Sequence, residues 1–586
     1  MPQLDLSPVI KVDGARISEE RTHDVFEVRV EVGLNRIGWA SLRMVDRAFT
    51  DDETTWDVGT ALSIGNADGD TFFTGEITAL TVEADGNLRR TITYTAQDRA
   101  HRLTRTAVAR TFQETTASDR VTKIASAAGL ATDVSSTSTT APWATQAGTD
   151  LAMIDELARR VGFDWWVDPT GATPTFCFKK LEKKAATTLT YGEHLREFTL
   201  RKTGDLPTEV TVTGWDPKGK QTIAATASSA SAGSNPAALS ASKLGTGALK
   251  LTGIGRPVDQ AEASTLANAI IDRITSSAVV FKGTLVQAPA IAPGHWVKID
   301  GAGKTADGDY PVTAVEYIYR RGVPLTTRFT AGDRSPRTLA DTLGGGASQP
   351  LAGAHEAVLL GVVTKNKDDD NLGRVKVKIP VLGDDYESGW ARVVVTGGGA
   401  SRGNFFHPEI NDEVLVAFEG GDLARPLVLG GLHNSSDAYL PGLQISDGKV
   451  QQRTILSRTG HVLTFDDSGK DSEGILLQLQ DKTHSIKLTP SKITITSTDG
   501  KPIELTSGEA SLKIDGSSNS ITMSAPQKIS LQSNDALELK GTQVKVTADA
   551  TLEMTAQATA KLAAQAQTEV SGSGMLALKG GMVQVN

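Results

Sequence analysis

The sequence of 586 residues is poor in cysteine and in aromatic side chains, with one cysteine and only 5% Phe, Trp and Tyr. The single cysteine, Cys177, excludes an intrachain disulfide and a zinc site built from several cysteines. The chain also lacks an apolar run near the roughly 20 residues that cross a bilayer, and its N-terminus lacks the basic and apolar regions of a signal peptide. We therefore expect a protein that is made in the cytosol.

An excess of positive charge is also absent. The formal net charge of −9 argues against non-specific binding of nucleic acid, because a polyanion would be repelled overall. Hydrophobic residues make up 39% of the chain and glycine occurs 57 times, a composition typical of β-rich proteins with many turns. The length predicts about three to five domains.

The aromatic residues stop well before the chain does. The 121 residues that follow Phe465 contain no Phe, Tyr or Trp. Aromatic side chains dominate the burial of ordinary cores, so a globular domain of this size without them would be unusual. The sequence therefore predicts that something other than a globular core holds this region together.

The first 335 residues combine strand and helix patterns. Strict alternation of apolar and polar residues predicts strands over 25–32 and 88–96, and Asp68-Gly69 predicts a hairpin turn. Apolar residues at helical spacing predict three helices, at 118–128, 149–161 and about 259–276. Residues 217–247 are rich in Ala, Ser, Thr and Gly and indicate an exposed excursion, and residues 336–356 have the composition of a linker.

A compact β unit follows the linker. Five strands are predicted there, at 358–365, 373–379, 389–395, 413–418 and 426–431. Five strands in so short a segment are typical of a small Greek-key barrel of the OB type.

The tail carries a repeat. Pairs of aliphatic residues with i, i+2 spacing recur, and their first members lie seven to nine residues apart. These first members are Ile503, Leu512, Ile521, Ile529, Leu537, Val544 and Leu552. A fixed period of this kind indicates a solenoid.

Eight residues provide only one short strand and a turn, so one repeat cannot close a coil by itself. Either three successive repeats of one chain form each rung, or three chains each contribute one face. Three wound chains leave no free strand edge, and a narrow axis lined with aliphatic side chains explains the missing aromatics. This interpretation is favoured over the single-chain coil, because no unequal corner loops recur at every third segment.

Ordered motifs in the middle of the chain resemble a known family. They include Asp370-x-x-Gly373-Arg374-Val375, Trp390-Ala391-Arg392-Val393, and the run from Phe406 through Pro408-Glu409 to Phe418. This set resembles the OB domain of the valine-glycine repeat (VgrG) family and of phage baseplate spikes, which belong to contractile injection machines. Residues 457–467 resemble the family's lead-in to its β-helix, and motifs between residues 75 and 312 resemble its hub.

The resemblance implies a mainly β fold: an N-terminal hub of β-barrels with a few helices, an OB-fold barrel and a C-terminal trimeric (triple-stranded) β-helix. It divides the chain into a hub (1–335), a linker (336–356), an OB collar (357–437) and a lead-in with β-helix needle (438–586). Within the hub, two barrel subdomains (about 1–105 and 200–335) flank a helical insert (106–199).

The resemblance also implies partners. Members of the family are homotrimers whose hub joins the inner tube and baseplate and whose needle contacts the target membrane transiently and sometimes carries effector cargo. A tip protein with a PAAR-like fold is expected on the end of the needle, docking on Met582, Val583, Val585 and Asn586. No enzymatic domain, cofactor or metal site is expected.

Other candidate sites have structural interpretations that we prefer. Asp300 to Thr305 resembles half of a phosphate loop but lies between strands, and Asp368-Asp369-Asp370 lacks the further spaced ligands of a calcium loop and indicates a solvated hairpin tip. We expect Trp390, Phe405, Phe406 and Phe418 in the barrel core or the trimer seam rather than on a nucleic-acid platform. Cys177 is expected to be a buried structural thiol.

The sequence thus predicts a non-enzymatic spike and hub of a contractile injection machine. The sequence also leaves three alternative functions open: a phage tail hub-spike, a single-chain β-helix enzyme acting on polysaccharide, and an OB-based nucleic-acid binder. The enzyme would require longer rungs, aromatic sugar platforms and acid pairs in the tail, which the sequence lacks.

Overall fold

A computed structural model describes residues 8–46, 56–86, 90–170, 173–183, 186–203, 207, 209–216, 221–228, 250–252, 259–286, 290–334, 358–383, 386–438, 445–469 and 473–585. The predicted linker 336–356, most of the 217–247 excursion and Asn586 lie outside these residues. The chain forms two compact units, Met1–Ala438 and Tyr439–Asn586.

One large sheet dominates the first unit. Its strands are β1 (Val9–Val12), β2 (Ala15–Arg16), β3 (Val25–Gly33), β4 (Trp39–Asp46), β5 (Ala61–Gly65), β6 (Thr71–Ala84) and β7 (Arg90–Asp98) from the first part of the hub. Helix α1 (Glu19–Asp24) and a 3-10 helix (Arg99–Thr104) lie beside them.

The helical insert follows. It consists of β8 (Ala107–Thr116), α2 (Ala117–Ala127), β9 (Ala131–Val134), β10 (Thr140–Thr149), α3 (Asp150–Val161), β11 (Asp164–Asp168) and β12 (Thr175–Lys179). Thr116 and Thr149 cap the two helices through their hydroxyls, and Gly162 ends α3 at a φ of 74°, a left-handed value that favours glycine. Both helices were predicted within one residue of their observed ends.

The second part of the hub completes the large sheet. It comprises β13 (Thr187–Thr190), β14 (Leu195–Lys202), β15 (Glu209–Asp216), β16 (Gln221–Ala227), β17 (Lys250–Thr252), α4 (Gln260–Ser276), β18 (Val279–Val286), β19 (Trp296–Asp300), β20 (Gly308–Arg320) and β21 (Val323–Ala331). Strands β15 to β17 form a small separate sheet, against which α4 packs its apolar face.

The two parts of the hub contribute strands to one sheet, and their division into two barrel subdomains stays a prediction. The strand order is β14-β18-β21-β20-β3-β4-β7-β6-β5-β1-β2, with β19 pairing to both β20 and β13. The join is the antiparallel pair β3–β20, in which Val32 lies opposite Val315. Because buried side chains from both parts pack into a single core, the hub is continuous across the insert.

Two buried charged groups help to close this unit. The guanidinium of Arg334, at the end of the described hub, bonds the carboxylates of Asp164 at 2.7 Å and Asp272 at 2.5 Å. The carboxyl group of Asp98 accepts the backbone N–H groups of Gly38 at 2.6 Å and Ala100 at 2.9 Å. Burial raises the pKa of Asp98 to about 7, although the two N–H donors act in the opposite direction.

A closed barrel ends the first unit. Its strands are β22 (Leu359–Lys365), β23 (Arg374–Lys378), β24 (Ala391–Val393), β25 (Glu413–Phe418) and β26 (Pro426–Gly431), in the order β22-β23-β24-β26-β25. All five predicted strands are confirmed. Their alternation places small branched residues inside, and we call this element the collar barrel. Its buried core includes Val363, Val375, Val377, Val414, Val416 and Val428.

The second unit begins with antiparallel strands. These are β27 (Ile445–Ser446), β28 (Lys449–Val450), β29 (Gln452–Leu456), β30 (Val462–Asp466), β31 (Gly474–Gln478), β32 (His484–Leu488), β33 (Ile493–Ser497), β34 (Ile503–Ser507), β35 (Ala510–Asp515) and β36 (Ser520–Ser524). Strands β29 to β33 form a five-stranded meander, and β34 to β36 form a three-stranded one. Between Ala525 and Val585, the described residues contain no strand paired within the chain.

Candidate functional site: the collar barrel and the needle segment

The acidic hairpin of the collar barrel is held by an ion pair. Asp368 is buried and accepts two hydrogen bonds from the Arg374 guanidinium at 2.7 and 2.8 Å. Hydrogen bonding to Arg374 holds the pKa of Asp368 well below its usual range, since it favours the ionised form over the opposing effect of burial. The hairpin was predicted, but the expectation that all three aspartates are solvated was wrong for Asp368.

The four aromatic residues of the collar barrel occupy three different environments. Phe418 lies in the core, whereas Trp390 is half-buried with Lys376 and Arg374 over its ring. Phe405 and Phe406, on the loop before β25, are 79% and 66% exposed in the single chain. The core location is therefore found for Phe418, and the seam location stays a prediction for the exposed pair.

The outer face of the collar barrel is also apolar in places. Leu360 on β22 and Leu429 on β26 are exposed, as is Leu432 just beyond β26. Leu360 lies opposite Leu415 of β25, whose neighbour across the next pairing is Gly430 of β26. These outward aliphatic residues on adjacent strands make this face more apolar than a barrel surface in contact with water alone would be.

One contact of the collar barrel is not predicted by any pattern in the sequence. The ring of Trp143, on β10 of the helical insert, lies 4.2 Å from the ammonium group of Lys376 on β23. The two residues are far apart in sequence and belong to segments with unrelated patterns, so only the folded chain brings them together.

The predicted axis residues of the needle fall into two groups. We call residues 503–585 the needle segment. Ile503, Leu512 and Ile521 lie on β34, β35 and β36, which pair antiparallel within the chain, with Ile514 opposite both Ile503 and Ile521. The first three repeats therefore form a meander in the single chain, a pairing that the repeat period alone did not predict.

The remaining predicted axis residues, Ile529, Leu537, Val544 and Leu552, lie where the described chain has no internal strand pairing. All four are exposed, Leu537 by 60%. Their partners at i+2 are exposed as well. In a single chain, this stretch thus leaves both its aliphatic side chains and its backbone polar groups in solvent.

The predicted tip residues are similarly open. Met582, Val583 and Val585 are exposed in the single chain, Met582 by 87%. Asn586 lies outside the described residues. An apolar cluster of this exposure is suited to contact with another protein.

Three other expectations concern small-molecule chemistry. Asp300 to Thr305 forms the hairpin between β19 and β20, and the Asp307 carboxylate accepts the N–H of Ala302 at 2.7 Å, so an acid already occupies this loop. Cys177 is buried on β12, as expected. Within the described ranges, no three acidic, histidine or cysteine side chains are grouped as a metal site would require.

No described helix has the length and apolar character that a bilayer crossing demands.

Two family models match this chain. The collar barrel, residues 359–433, matches the model described as type VI secretion system/phage-baseplate injector OB domain. The hub, residues 4–320, matches the model described as Alg8 N-terminal domain. The second match covers more than half of the 586 residues.

Two relatives are spike proteins by name. The type VI secretion system spike protein VgrG5 of Pseudomonas aeruginosa is 39% identical over 91 residues, which are 15% of this chain and 12% of that protein. The type VI secretion system spike protein VgrG3 of Vibrio cholerae is 31% identical over 117 residues, 19% of this chain and 11% of that protein. The chain thus matches only about a tenth of the length of either relative.

A solved structure aligns with this chain at low sequence identity. It is the E. coli c3393 protein, described as a component of the type VI secretion system with structural similarity to T4 bacteriophage tail proteins gp27 and gp5. The alignment has a TM-score of 0.48 and 17% identity, and covers 72% of this chain and 99% of that one. The injector OB domain, the spike relatives and the hub match agree with the motifs of the sequence. The chain belongs to the Alg8 N-terminal domain family, and its injector OB domain and its relatives support a VgrG-family spike.

Proposed function

We propose that three copies of this chain form the hub and spike of a contractile, phage-tail-like injection machine. In this proposal the hub caps the inner tube at the baseplate, and the needle segments of the three chains wind into one rigid β-helix. Sheath contraction drives the assembly into the target envelope, which the needle punctures and contacts only transiently.

The needle segment is the observation that carries the proposal. From Ile529 to Leu552 the aliphatic side chains are exposed at a regular spacing, and the described backbone has no strand partner in its own chain. Exposed aliphatic rows and unpaired strand edges are unfavourable for a soluble monomer. Two further copies would supply the missing backbone partners and would cover the aliphatic residues around a shared axis.

Stiffness would follow from the same arrangement. Each strand would hydrogen-bond to neighbouring chains, and small aliphatic residues would fill the axis without the space that a ring needs. A structure of this kind transmits axial force without a catalytic step, so the proposed role is mechanical and the chain is not an enzyme.

The mass of the purified full-length chain tests the trimer. Light scattering coupled to size-exclusion chromatography should give about three times the 61.8 kDa of one chain. A stable, soluble monomer at micromolar concentration would contradict the proposal. The measurement uses the whole chain, so no truncated variant is needed.

A tip protein is a further part of the proposal. The exposed Met582, Val583 and Val585 support docking of a PAAR-like protein on the end of the needle, and Asn586 belongs to the same predicted patch. Co-expression with a PAAR-repeat protein should yield a complex that Met582→Asp and Val585→Asp abolish together. Loss of binding without loss of the trimer mass would locate the dock at these residues.

Among injection machines, a phage tail hub-spike is the second candidate. The family model that matches the collar barrel is described as an OB domain of both type VI secretion systems and phage baseplates. The chain would be made in the cytoplasm and assembled into the baseplate in either case. Effector cargo and inner-tube proteins are expected partners. Genes for a sheath, a tube and a baseplate ATPase beside this one would distinguish the machines.

A nucleic-acid role for the collar barrel is disfavoured. Base stacking on an OB barrel needs open aromatic faces in a basic groove. The Trp390 ring already has Lys376 and Arg374 over it, and both cations are paired with carboxylates, at 3.6 Å for Lys376 with Glu387. The polysaccharide enzyme is disfavoured as well, since the needle segment has no aromatic platform.

A further inference from the structure

The hairpin of the helical insert lies against the collar barrel. Strands β8 and β10 pair over almost their full length, from Ala107 opposite Thr149 to Thr116 opposite Thr140. Ala109 of β8 packs on the apolar core of the barrel and lies beside Gly383. The insert is thus in direct contact with a barrel that lies more than 200 residues further along the chain.

Trp143 is the largest side chain in this contact. Its indole lies against Gly389, where a Cβ atom would come within 3.1 Å of the ring. That distance is shorter than ordinary van der Waals contact, so glycine at this position permits the close approach. Trp390 directly follows Gly389, and β24 begins at Ala391.

Lys376 connects the two tryptophans. Its ammonium group lies 4.2 Å from the ring centroid of Trp143 and 5.4 Å from that of Trp390, and Glu387 lies at 3.6 Å. Both ring distances are within the range of cation–π attraction, which strengthens when the cation is partly withdrawn from water. The Lys376 side chain is 12% exposed, so this condition is met.

Polar contacts flank the tryptophans. Thr145 of β10 lies near the hydroxyl of Tyr386 of the barrel, whose ring is fully buried and whose hydroxyl donates to the Leu423 carbonyl at 3.4 Å. Burial raises the pKa of the Tyr386 hydroxyl, so it is neutral at physiological pH. The pKa of Arg160 on α3 is raised, against the opposing effect of burial, by the carboxylates of Glu262 on α4, Glu156 on α3 and Asp422 of the barrel.

We propose that this contact is a joint that fixes the orientation of the collar barrel on the hub, with Lys376 between Trp143 and Trp390 as its central element. The joint is the packed contact itself, since the connection along the chain, residues 335–357, lies outside the described residues. The role of the joint in force transmission rests on the proposed spike function: the joint is then the noncovalent path by which axial load passes from hub to collar.

Hydrogen–deuterium exchange of the full-length protein tests the joint. Trp143→Ala and Lys376→Met should each accelerate exchange at least tenfold in β8, β10 and β23, while the hub strands β3 and β20 keep wild-type rates. Lys365→Met is the matched control: Lys365 lies opposite Lys376 on β22 but is exposed, and its exchange should match the wild type. Unchanged rates in both test variants would overturn the proposal.

A pair of introduced cysteines, which can be oxidised or reduced, distinguishes loss of the joint from a general loss of packing. The Cβ of Trp143 would lie 3.5 Å from a Cβ built at Gly389, at the short end of the roughly 3.5–4.5 Å that a disulfide spans. In Trp143→Cys/Gly389→Cys, oxidation should restore slow exchange on both sides of the joint, and reduction should lose it again. Fast exchange in the oxidised protein would refute the joint. The particle mass of every variant is measured in parallel, so failure of the trimer would be seen separately from failure of the joint.

Discussion

Leu537→Asp is the perturbation that most severely tests a shared needle axis. Leu537 lies in the part of the needle segment with no internal strand pairing, and 60% of it is exposed in one chain. If three copies meet at an axis, this exposed fraction becomes buried in each of them. An aspartate at the same position would then place three carboxylates next to one another, away from water.

The expected loss is large. Burying a whole leucine side chain stabilises by about 1.5–3 kcal/mol, so the exposed fraction of Leu537 corresponds to about 1–2 kcal/mol in each chain. Burying an unpaired carboxylate costs several kcal/mol more per ion. Three copies together give at least about 10 kcal/mol, or roughly seven orders of magnitude in the association constant, because about 1.4 kcal/mol is a tenfold change.

The assay is the mass of the full-length variant by light scattering at micromolar concentration. Leu537→Asp should give monomers or aggregates at pH 7, and part of the trimer should return near pH 4, since crowded carboxylates take up protons readily. Glu538→Lys is the control, because it alternates with Leu537 and would face solvent. A Leu537→Asp protein with the mass and the thermal stability of wild type would refute the shared axis.

Three further substitutions test the buried charges of the first unit. Arg334→Met should lower the free energy of hub unfolding by about 3 kcal/mol, since it removes the cation that two buried carboxylates share, while the exposed ion-pair variant Arg328→Met should cost less than about 1 kcal/mol by urea unfolding. Asp98 has a raised pKa of about 7, so the folded hub holds a proton that the unfolded chain releases near pH 4, and hub stability should fall as the pH rises between these values. Asp98→Asn, which does not titrate, should remove that slope in urea midpoints measured at pH 5 and pH 8; an unchanged slope would contradict the assignment. Asp368 has a lowered pKa, so its ion pair should stabilise the collar barrel above about pH 4 and lose this effect below it. The unfolding midpoints of Asp368→Asn and wild type should therefore differ at pH 7 and converge in acid.

Local patterns predicted the secondary structure of the hub and collar well. The helices α2 and α3 end within a residue of the prediction because apolar residues at helical spacing continue along each of them and stop before Gly129 and Gly162. In the collar, β23 and β25 are the clearest strands in the sequence, because valine recurs at every second position along them. Both signals depend on neighbours in sequence, which a pattern can represent.

Long-range pairing was not predictable in the same way. The β3–β20 pair joins strands nearly 300 residues apart, and both strands show ordinary alternation, so nothing in either one identifies its partner. The contact of Trp143 with Lys376 and the ion pairs of Arg334 have the same character. The eight-residue period predicted the spacing of the needle, yet it did not separate the antiparallel meander of β34 to β36 from the unpaired stretch after it. A repeat period specifies strand length, whereas pairing depends on which chain supplies the neighbouring edge.

Electron cryomicroscopy of the purified full-length protein is the most direct test of a trimeric spike. We expect a threefold particle in which residues 525–585 of three chains wind around one axis, with Leu537 and Val544 directed toward it. A particle without threefold symmetry, or a needle built from the successive repeats of a single chain, would contradict it.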